Sequence, residues 1–285
     1  MPRKSINSAN STRTKSAIEF VQWPVHSSLG EKNSGNKNID EKVLAIQTTR
    51  VAPNDFSGDE TSPYQGFNLG LHVGDCAKQV EKNRNYLQTL LPKKTKIQWL
   101  EQVHGNEVVE VTQASKQIII ADAVFSSEKN TCLAIMTADC LPILLVSKSG
   151  DEIAAIHGGW RPLAANIITK TLEKMKTPTA DIYAWLGPCI SKNAFEVGSE
   201  VKSAFVEQNE CLDECFKKDF TKKTNSNPLD KYLADLHKIA KLQLENLGIN
   251  QISTLPECTY ANTDKYYSYR KKAITGRMAT LICLL

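Results

Sequence analysis

Apolar residues form several short continuous runs that are too brief for helices and are rich in β-branched residues. Such runs, bounded by turn-forming residues, predict buried strands. These runs cover residues 42–50, 132–147, 152–159, 181–190 and 274–285. We expect the second run to be interrupted near Pro142, since proline cannot donate a ladder hydrogen bond. Residues 97–111 predict two further strands around a turn at Gly105–Asn106.

Three other segments carry apolar residues at helical spacing. Residues 76–92 and 161–175 each place their apolar side chains on one face, which is typical of a helix packed on a core. Residues 227–248 give the clearest helical pattern, with Asn227 as a cap and Gly248 at the end. Helices and strands are interspersed without a strict βαβ alternation, which favours an α+β fold with mixed sheets.

The first part of the chain differs from the rest. Residues 1–42 are polar, and we predict a flexible N-terminal extension before a single ordered domain over residues 43–285. The first twenty residues lack the apolar core of a secretory signal. No apolar run approaches the roughly 18 residues that a membrane span requires.

Charge and cysteine content narrow the function classes. The formal net charge is +4, which is compatible with a small anionic substrate and too weak to indicate nucleic-acid binding. The 8 cysteines are scattered along a chain of 285 residues. Without an export signal, this pattern predicts reduced thiols and a cytoplasmic protein.

Three metal-ligating residues stand at predicted junctions between strands and turns. They are His104 in "QVHGN", Cys140 in "TADCLP" and His157 in "AIHGGW". Two imidazoles and one thiolate with a fourth position open are typical of catalytic zinc, which activates water at neutral pH. Spacing alone equally allows a buried cysteine and two hydrogen-bonded core histidines. Asp139 could orient a ligand or move protons, or it could hydrogen-bond the local turn.

Seven motifs in one order give the chain a family resemblance. They are "NLGLHVGD" with "VEKNR", "QVHG", "ADAVFSS", "TADCLPILL", "AAIHGGWR", "GPCISKNAFEVG" and "CTYANTDKYYSYRKKAITGRMATLI". Together they resemble the YfiH family, which is related to the laccase domain-containing protein of animals. Members have been described both as polyphenol oxidases and as purine nucleoside phosphorylases with adenosine deaminase activity.

The resemblance implies a single α+β catalytic domain with sheet layers flanked by helices. It also implies zinc held by His104, Cys140 and His157, with phosphate as co-substrate. The implied nucleosides are adenosine, inosine, guanosine and methylthioadenosine. Copper at the same residues is the alternative, giving a laccase-like polyphenol oxidase.

This chain departs from the family pattern in three places. Gly158 and Pro162 replace the alanine and glycine of the family's H-A-G-W-R-G motif. Cys189 is new, while Asn193 and Ala194 replace the family's paired cysteines. The family's glycine-rich loop after Arg50 reads "VAPNDFS", so equating Ser57 with the family serine stays open.

Phosphorolysis needs an anion cradle, and the planar fork of arginine suits phosphate. Family context makes Arg270 the first candidate and Arg50 the second, both as catalytic residues beside Asp139. Arg161 is a candidate for substrate binding. Without the resemblance, each arginine would more often be a solvated surface residue.

Two polar residues within apolar motifs are further candidates. Asn68 in "FNLG" and Glu196 in "FEVG" could bind substrate, or each could cap a turn.

Three other functions compete with this hypothesis. A multicopper oxidase needs a histidine-rich cluster with H-x-H pairs, and the chain has 5 histidines and no such pair. A cysteine hydrolase would use Cys140 as nucleophile and His157 or His104 as base. A binding module would use the metal only as structural support.

Overall fold

The computed structural model describes residues 16–24, 37–53, 59, 61–219 and 230–285. In chain order its strands are β1 (Ile18–Phe20), β2 (Val43–Thr48), β3 (Lys96–Gln98), β4 (Leu100–Glu101), β5 (Val108–Glu110), β6 (Ile119–Ile120), β7 (Ala123–Ser126), β8 (Thr131–Thr137), β9 (Leu141–Ser147), β10 (Ile153–Gly158), β11 (Ile182–Leu186), β12 (Glu196–Gly198), β13 (Phe216–Lys218), β14 (Lys231–Ala234), β15 (Gln251–Thr254) and β16 (Met278–Leu284). The helices are α1 (Lys37–Asp40), α2 (Ala77–Thr89), α3 (Trp160–Ala164), α4 (Ile167–Lys174), α5 (Ser199–Val206) and α6 (Leu236–Asn246). Within these ranges, no helix has the length and apolar character that a bilayer crossing demands.

Two mixed sheets form the body of the molecule. The first has the order β1-β2-β16-β8-β3, and the second has the order β15-β11-β9-β10-β7-β5. Most neighbours are antiparallel, and the parallel pairs lie at the sheet edges: β3 with β8, β11 with β15, and β5 with β7. A small sheet, β12-β14-β13, and the β4-β6 pair complete the described strands. The predicted α+β class is confirmed.

Alternation along the central strands explains how the layers stack. In β9, Leu141, Ile143 and Leu145 pack with the helices, whereas Leu144 and Val146 pack into the cluster between the two sheets. Successive side chains of a strand point to opposite faces, so a wholly apolar strand can fill two cores at once. Helices α4 and α6 cover the second sheet, and α2 contributes to the core on the far face of the first sheet.

The apolar run over residues 132–147 is two strands in different sheets. Strand β8 belongs to the first sheet and β9 to the second, so the chain crosses between sheets at residues 138–140. The predicted interruption at Pro142 is therefore wrong in position. Pro142 lies inside β9, opposite His157 of β10, close to the start of the strand where the missing N–H is tolerated.

The prediction of one helix over residues 227–248 is wrong in its first half. Residues Lys231–Ala234 form strand β14, paired on both sides by β12 and β13. The helix begins only at Leu236, where the Asp235 side chain accepts a hydrogen bond from the Lys238 N–H and caps it. Asn227, the predicted cap, lies outside the described residues.

The predicted helix over residues 161–175 is divided in two. Asn166 adopts a left-handed backbone with φ of 60°, and it separates α3 from α4. Asparagine is one of the few residues that tolerate this conformation.

The region over residues 97–111 also differs from the prediction, because three short strands form where two were expected.

Cysteine pairing corrects another prediction. Cys132 of β8 and Cys283 of β16 lie directly opposite each other and are joined by a disulfide. The expectation that all cysteines are reduced is therefore wrong for this pair. The six others are free thiols.

Part of the predicted N-terminal extension lies on the first sheet. Strand β1 pairs with β2 in antiparallel register, and Val21 and Trp23 are buried in the core between the sheets. Much of the rest of residues 1–42 lies outside the described residues.

Candidate metal centre and its cavity

The structure brings His104, Cys140 and His157 together. One ligand atom from each lies within 4.8 Å of the other two. His104 lies in the loop between β4 and β5, Cys140 in the crossing between sheets, and His157 near the end of β10. His157 is buried, Cys140 is partly buried and His104 is exposed, so this triad opens toward solvent on one side.

Asp122, between β6 and β7, organises the two histidines. Its carboxylate lies 2.8 Å from His157 Nδ1 and accepts the N–H groups of Val103, His104 and Gly105. Its carbonyl also accepts the His157 N–H at 2.8 Å. A histidine whose Nδ1 hydrogen-bonds a carboxylate presents Nε2 as the free ligand atom. Asp122 therefore sets the tautomer of one histidine and the loop position of the other.

Two residues of the site have backbone conformations that are unusual for amino acids with a side chain. His104 has φ of 60° and Asp139 has φ of 90°. Such conformations persist where the surroundings hold them, and they cluster at functional sites. Here the Asp122 carboxylate holds His104 through its N–H, whereas hydrogen bonds hold the side chain of Asp139.

The two glycines after His157 allow close packing at the triad. A Cβ on Gly159 would lie 3.2 Å from His104 Cδ2 and 3.3 Å from Cys140 Sγ. A Cβ on Gly158 would lie 2.6 Å from the Leu141 carbonyl oxygen, closer than real Cβ contacts allow. Gly158 therefore permits the observed spacing of β10 and β9 at the site.

The electrostatics favour an ionised thiol. Burial opposes ionisation of Cys140, but the charge of His157 and hydrogen bonds from both histidines outweigh it and lower its pKa to about 6. Burial likewise opposes charge on His157, yet Cys140 and Asp122 together raise the pKa of its imidazole. A thiolate beside two imidazoles, with one imidazole held by a carboxylate, is a donor set that suits a soft or borderline cation.

The separation of the thiol and one imidazole also fits a metal ion. Cys140 Sγ lies 3.8 Å from His104 Nε2. Ligand atoms around tetrahedral zinc lie about 3.3–3.8 Å apart, given metal–ligand bonds of about 2.0–2.3 Å. The three residues therefore could hold a metal and leave its fourth position open to the cavity.

The triad lies on the wall of a cavity of about 630 Å³. This volume is within the usual range for small-molecule sites, about 300–1,000 Å³. Besides the triad, the wall includes His72, Gln102, Val103, Met136, Thr137, Ala138, Asp139, Trp160, Arg161, Ile190, Phe195, Leu236, Tyr269, Arg270 and Arg277. Three arginines against one carboxylate make this wall electropositive.

Three other predicted site residues line the cavity: Asp139, Arg161 and Arg270. Asp139 accepts hydrogen bonds from Thr259 Oγ1 at 2.7 Å and from the Arg270 N–H at 2.6 Å. The carboxylate therefore fastens the loop that carries Arg270. The Arg270 guanidinium donates to the Glu196 carbonyl at 3.0 Å, and the Arg161 guanidinium lies over the Trp160 ring.

The other three predicted residues are not among the cavity-lining residues. The Arg50 guanidinium donates to the carbonyl oxygens of Thr263 and Gln65. Asn68 is fully buried, and its side-chain oxygen accepts the N–H groups of Gly70 and Arg277. Glu196 enters the site region through its main-chain oxygen, which accepts from Arg270. Ser57 lies outside the described residues.

Sequence reasoning missed Asp122 and gave no role to His72. Asp122 stands in "ADAVFSS" and His72 in "NLGLHVGD". Both motifs contributed to the family resemblance, so a polar residue inside a matched motif was the available signal. Arg277, which ends "ITGR", also lies on the cavity wall, and motif position alone does not rank it above the other arginines.

Comparison with known proteins gives a consistent family match. Residues 48–285 match the family described as multi-copper polyphenol oxidoreductase laccase. The protein is 40% identical to purine nucleoside phosphorylase YfiH of Escherichia coli over 246 residues, covering 85% of this chain and 94% of that protein. It is 38% identical to a purine nucleoside phosphorylase of Haemophilus influenzae, covering 87% of this chain and 96% of the relative.

Solved structures show the same architecture. A Neisseria meningitidis protein superposes with a TM-score of 0.79 at 33% identity, covering 94% of this chain and 99% of that one. YlmD from Geobacillus stearothermophilus superposes with a TM-score of 0.70 at 25% identity, covering 93% of this chain and 99% of that one.

Proposed function

The chain belongs to the YfiH family, matched under the description multi-copper polyphenol oxidoreductase laccase, and we propose that it is a zinc-dependent purine nucleoside phosphorylase with adenosine deaminase activity. The proposed substrates are adenosine, inosine, guanosine and methylthioadenosine, each with phosphate. The observation that carries the proposal is the thiolate–imidazole triad on the wall of an electropositive cavity, in a chain whose close relatives are named purine nucleoside phosphorylases.

Zinc is the metal we assign to the triad. A tetrahedral ion with one thiolate and two imidazoles leaves a fourth position for substrate or water. Bound there, zinc would supply a Lewis acid that polarises the substrate or activates a water molecule. The chain itself supplies the geometry, because Asp122 holds both histidines and Gly159 allows the approach of Cys140 and His104.

Phosphorolysis replaces the bond between C1′ of the ribose and the purine with a bond between C1′ and phosphate. A phosphate oxygen forms a bond to C1′ while the bond from C1′ to the purine nitrogen breaks. The electron pair goes to the purine, and the proton of hydrogen phosphate ends on a purine nitrogen. The arginines of the cavity wall suit this reaction, since phosphate must be bound and held in line with the breaking bond.

Deamination would use the same cavity differently. Water attacks purine C6 and ammonia leaves, so the site must carry a proton from the water to the departing nitrogen. Asp139 is the one acidic side chain among the cavity-lining residues, next in sequence to Cys140. We assign this proton transfer to Asp139 within the proposal.

One experiment tests the proposed function directly. Zinc-loaded protein is incubated with each of the four nucleosides, with and without phosphate, and products are separated by chromatography. From adenosine we expect adenine and ribose 1-phosphate only when phosphate is present, and inosine in both cases. Absence of any cleavage product with all four nucleosides would refute the phosphorylase proposal, whereas absence of inosine alone would refute the deaminase activity.

A cysteine hydrolase is the second candidate, because a specific arrangement favours it. Asp122 holds His157, and His157 is hydrogen-bonded to Cys140, which is the carboxylate–imidazole–thiol arrangement of a cysteine nucleophile. The lowered pKa of Cys140 also suits a nucleophile. Iodoacetamide labelling followed by peptide mass mapping separates the two functions. A metal ligand is labelled only after chelation, whereas a nucleophile is labelled at the same rate with or without chelator. The exposed thiols Cys76 and Cys211 serve as internal controls.

Copper-dependent polyphenol oxidation is the remaining alternative. Among the described residues, His104, Cys140 and His157 are the one group that meets the geometric requirements for a metal. A multicopper oxidase needs several linked copper centres. Metal analysis of protein purified without added metal tests this: about one zinc per chain supports the proposal, and copper together with oxidation of a phenol would overturn it.

A further inference from the structure

We propose that Arg277 and His72 form the phosphate subsite of this cavity. The inference rests on the proposed phosphorylase function and names the residues that hold its anionic co-substrate. Both side chains line the cavity, although they are 205 positions apart in the chain. Neither is a member of the triad.

A network of main-chain contacts joins the two segments. The Arg277 N–H donates to Asn68 Oδ1 at 2.8 Å, and the Leu69 N–H donates to the Arg277 carbonyl at 3.1 Å. The same Asn68 oxygen accepts the Gly70 N–H at 3.0 Å, two residues before His72. Asn68 is therefore a positioning residue that holds the loop of His72 against Arg277.

Gly70 brings the two segments into direct contact. A Cβ at this position would lie 2.9 Å from Arg277 Cγ, so any larger residue would push the arginine away. The Arg277 guanidinium also donates through one nitrogen to the carbonyl oxygens of Thr275 and Gly276. An arginine restrained in this way loses little further freedom when it binds an anion.

Positive charge is concentrated around His72. Desolvation and the charges of Arg277 and Arg84 lower the pKa of His72, with Glu101 acting in the opposite direction. Arg84 is held by the Leu69 carbonyl and lies over the Trp99 ring. Two arginines near one histidine repel one another, and a bound anion would relieve that repulsion. A neutral imidazole there can donate one hydrogen bond to a phosphate oxygen.

Arg277 is better placed for this role than the arginines first favoured. Arg50 is not among the cavity-lining residues and donates to two main-chain carbonyls. Arg161 and Arg270 line the cavity but are exposed, whereas Arg277 is partly buried. A charge in a partly desolvated wall binds an anion more strongly than one in open solvent. Arg277 lines the same cavity as Cys140 and Asp139, so the subsite is near the triad.

The test is calorimetric titration of zinc-loaded protein with inorganic phosphate. Hydrogen bonds to a charged group are worth enough that Arg277→Gln should weaken phosphate binding about 10-fold to 100-fold. His72→Asn should weaken it about threefold to tenfold. The matched control is Lys170→Gln, which removes one positive charge from an exposed position of α4 and should change binding less than about twofold. Zinc content is measured for every variant and should not change.

The Arg277 guanidinium also donates to carbonyl oxygens of its own loop, so weaker binding in Arg277→Gln could come from a disturbed loop. A second variant separates the two causes. Arg277→Lys keeps the charge and loses the planar fork, and phosphate should bind about fivefold to tenfold more weakly. Wild-type phosphate affinity in Arg277→Lys and His72→Asn would overturn the subsite. So would phosphate binding that chelation abolishes in the wild type, because the anion would then be bound to the metal.

The two proposals fail in different ways. If the wild type cleaves nucleosides but the KM for phosphate is unchanged in Arg277→Gln, the subsite is wrong and the phosphorylase stands. If the wild type binds phosphate through Arg277 and cleaves no nucleoside, the subsite stands and the phosphorylase is wrong.

Discussion

Two regions of this protein bring a thiol close to an imidazole, and they differ in the surroundings of the sulfur that contacts the histidine. The triad has one sulfur and two imidazoles. The second region, which we name the Cys189 group, consists of Cys189, Cys258 and His237. Cys189 Sγ lies 3.6 Å from His237 Nδ1, closer than the 3.8 Å between Cys140 Sγ and His104 Nε2. Distance between sulfur and nitrogen therefore does not separate the two regions.

The surroundings of the two sulfurs do separate them. Burial raises the pKa of Cys189 well above its ordinary value, and the nearby Asp235 and Cys258 add to the effect. His237 directs Nε2 to the Gly187 carbonyl at 2.7 Å, a main-chain contact. In the triad the carboxylate of Asp122 holds His157, and the pKa of Cys140 falls. A buried carboxylate partner and an opening to a cavity are what distinguish the triad.

Removal of the thiol from the triad should have the largest effect. Cys140→Ala takes away one of three ligands, and we expect more than about 100-fold loss of both zinc affinity and nucleoside cleavage. Zinc affinity is measured by competition with a chelating dye. Cys189→Ala is the matched control and should retain both properties. Full activity in Cys140→Ala would remove the proposed role of the triad.

Asp122→Asn should have the next largest effect, because it keeps the size of the side chain and removes its charge. Replacement of a carboxylate that orients a metal-bound histidine typically costs about 10-fold to 100-fold in metal affinity. The control is Asp181→Asn, which removes an exposed carboxylate paired with Lys148 and should leave zinc affinity unchanged. Equal zinc affinity in Asp122→Asn and wild type would contradict the assigned role of Asp122.

Cys189→Ala tests whether the Cys189 group has a structural role only. The side chain is buried, so we expect loss of about 1–2 kcal/mol in the free energy of unfolding. Zinc content and turnover should be unchanged. The measurement is urea denaturation followed by circular dichroism, and loss of bound zinc in this variant would show that the two regions are coupled.

The smallest expected effect is on the pH dependence of the free energy of unfolding. Burial lowers the pKa of His237 below its unfolded value, and the Gly187 carbonyl and Asp235 only partly oppose this. The unfolded chain then binds more protons as the pH falls through the range near 6.5, so the folded state loses stability below that pH. His237→Gln should reduce the loss of unfolding free energy between pH 7.5 and 5.5 by less than about 1 kcal/mol. An unchanged pH slope would argue against this protonation.

Much of the architecture followed from the sequence because it depends on simple periodicity. The strands at residues 43–48, 153–158, 182–186 and 278–284 and the helix at residues 77–89 were predicted from apolar runs and helical spacing. Strand β14 was missed, because its residues continue the helical spacing of α6 and its pairing partners are distant in the chain. Long-range pairing overrides local preference, and a single sequence does not display it.

The site was predictable to a different degree. The three triad residues were identified as candidates, since their residue types and positions at strand ends have a chemical meaning. Asp122 was missed because its importance lies in four contacts made by one buried carboxylate, three of them to main-chain groups. Arg50 was favoured from motif position, and the structure instead places its guanidinium against two carbonyl oxygens.

The different supports of the two histidines have a consequence for protein engineering. His157 belongs to a central strand that has hydrogen-bonded neighbours on both sides, so one inserted or deleted residue in β10 would turn its side chain to the opposite face. His104 belongs to a loop that is held by the Asp122 carboxylate and by hydrogen bonds of Gln102 with the Met136 main chain and of Asn106 with the Ala165 carbonyl. Redesign of the cavity should therefore conserve the length of β10 and the residues that anchor the loop of His104.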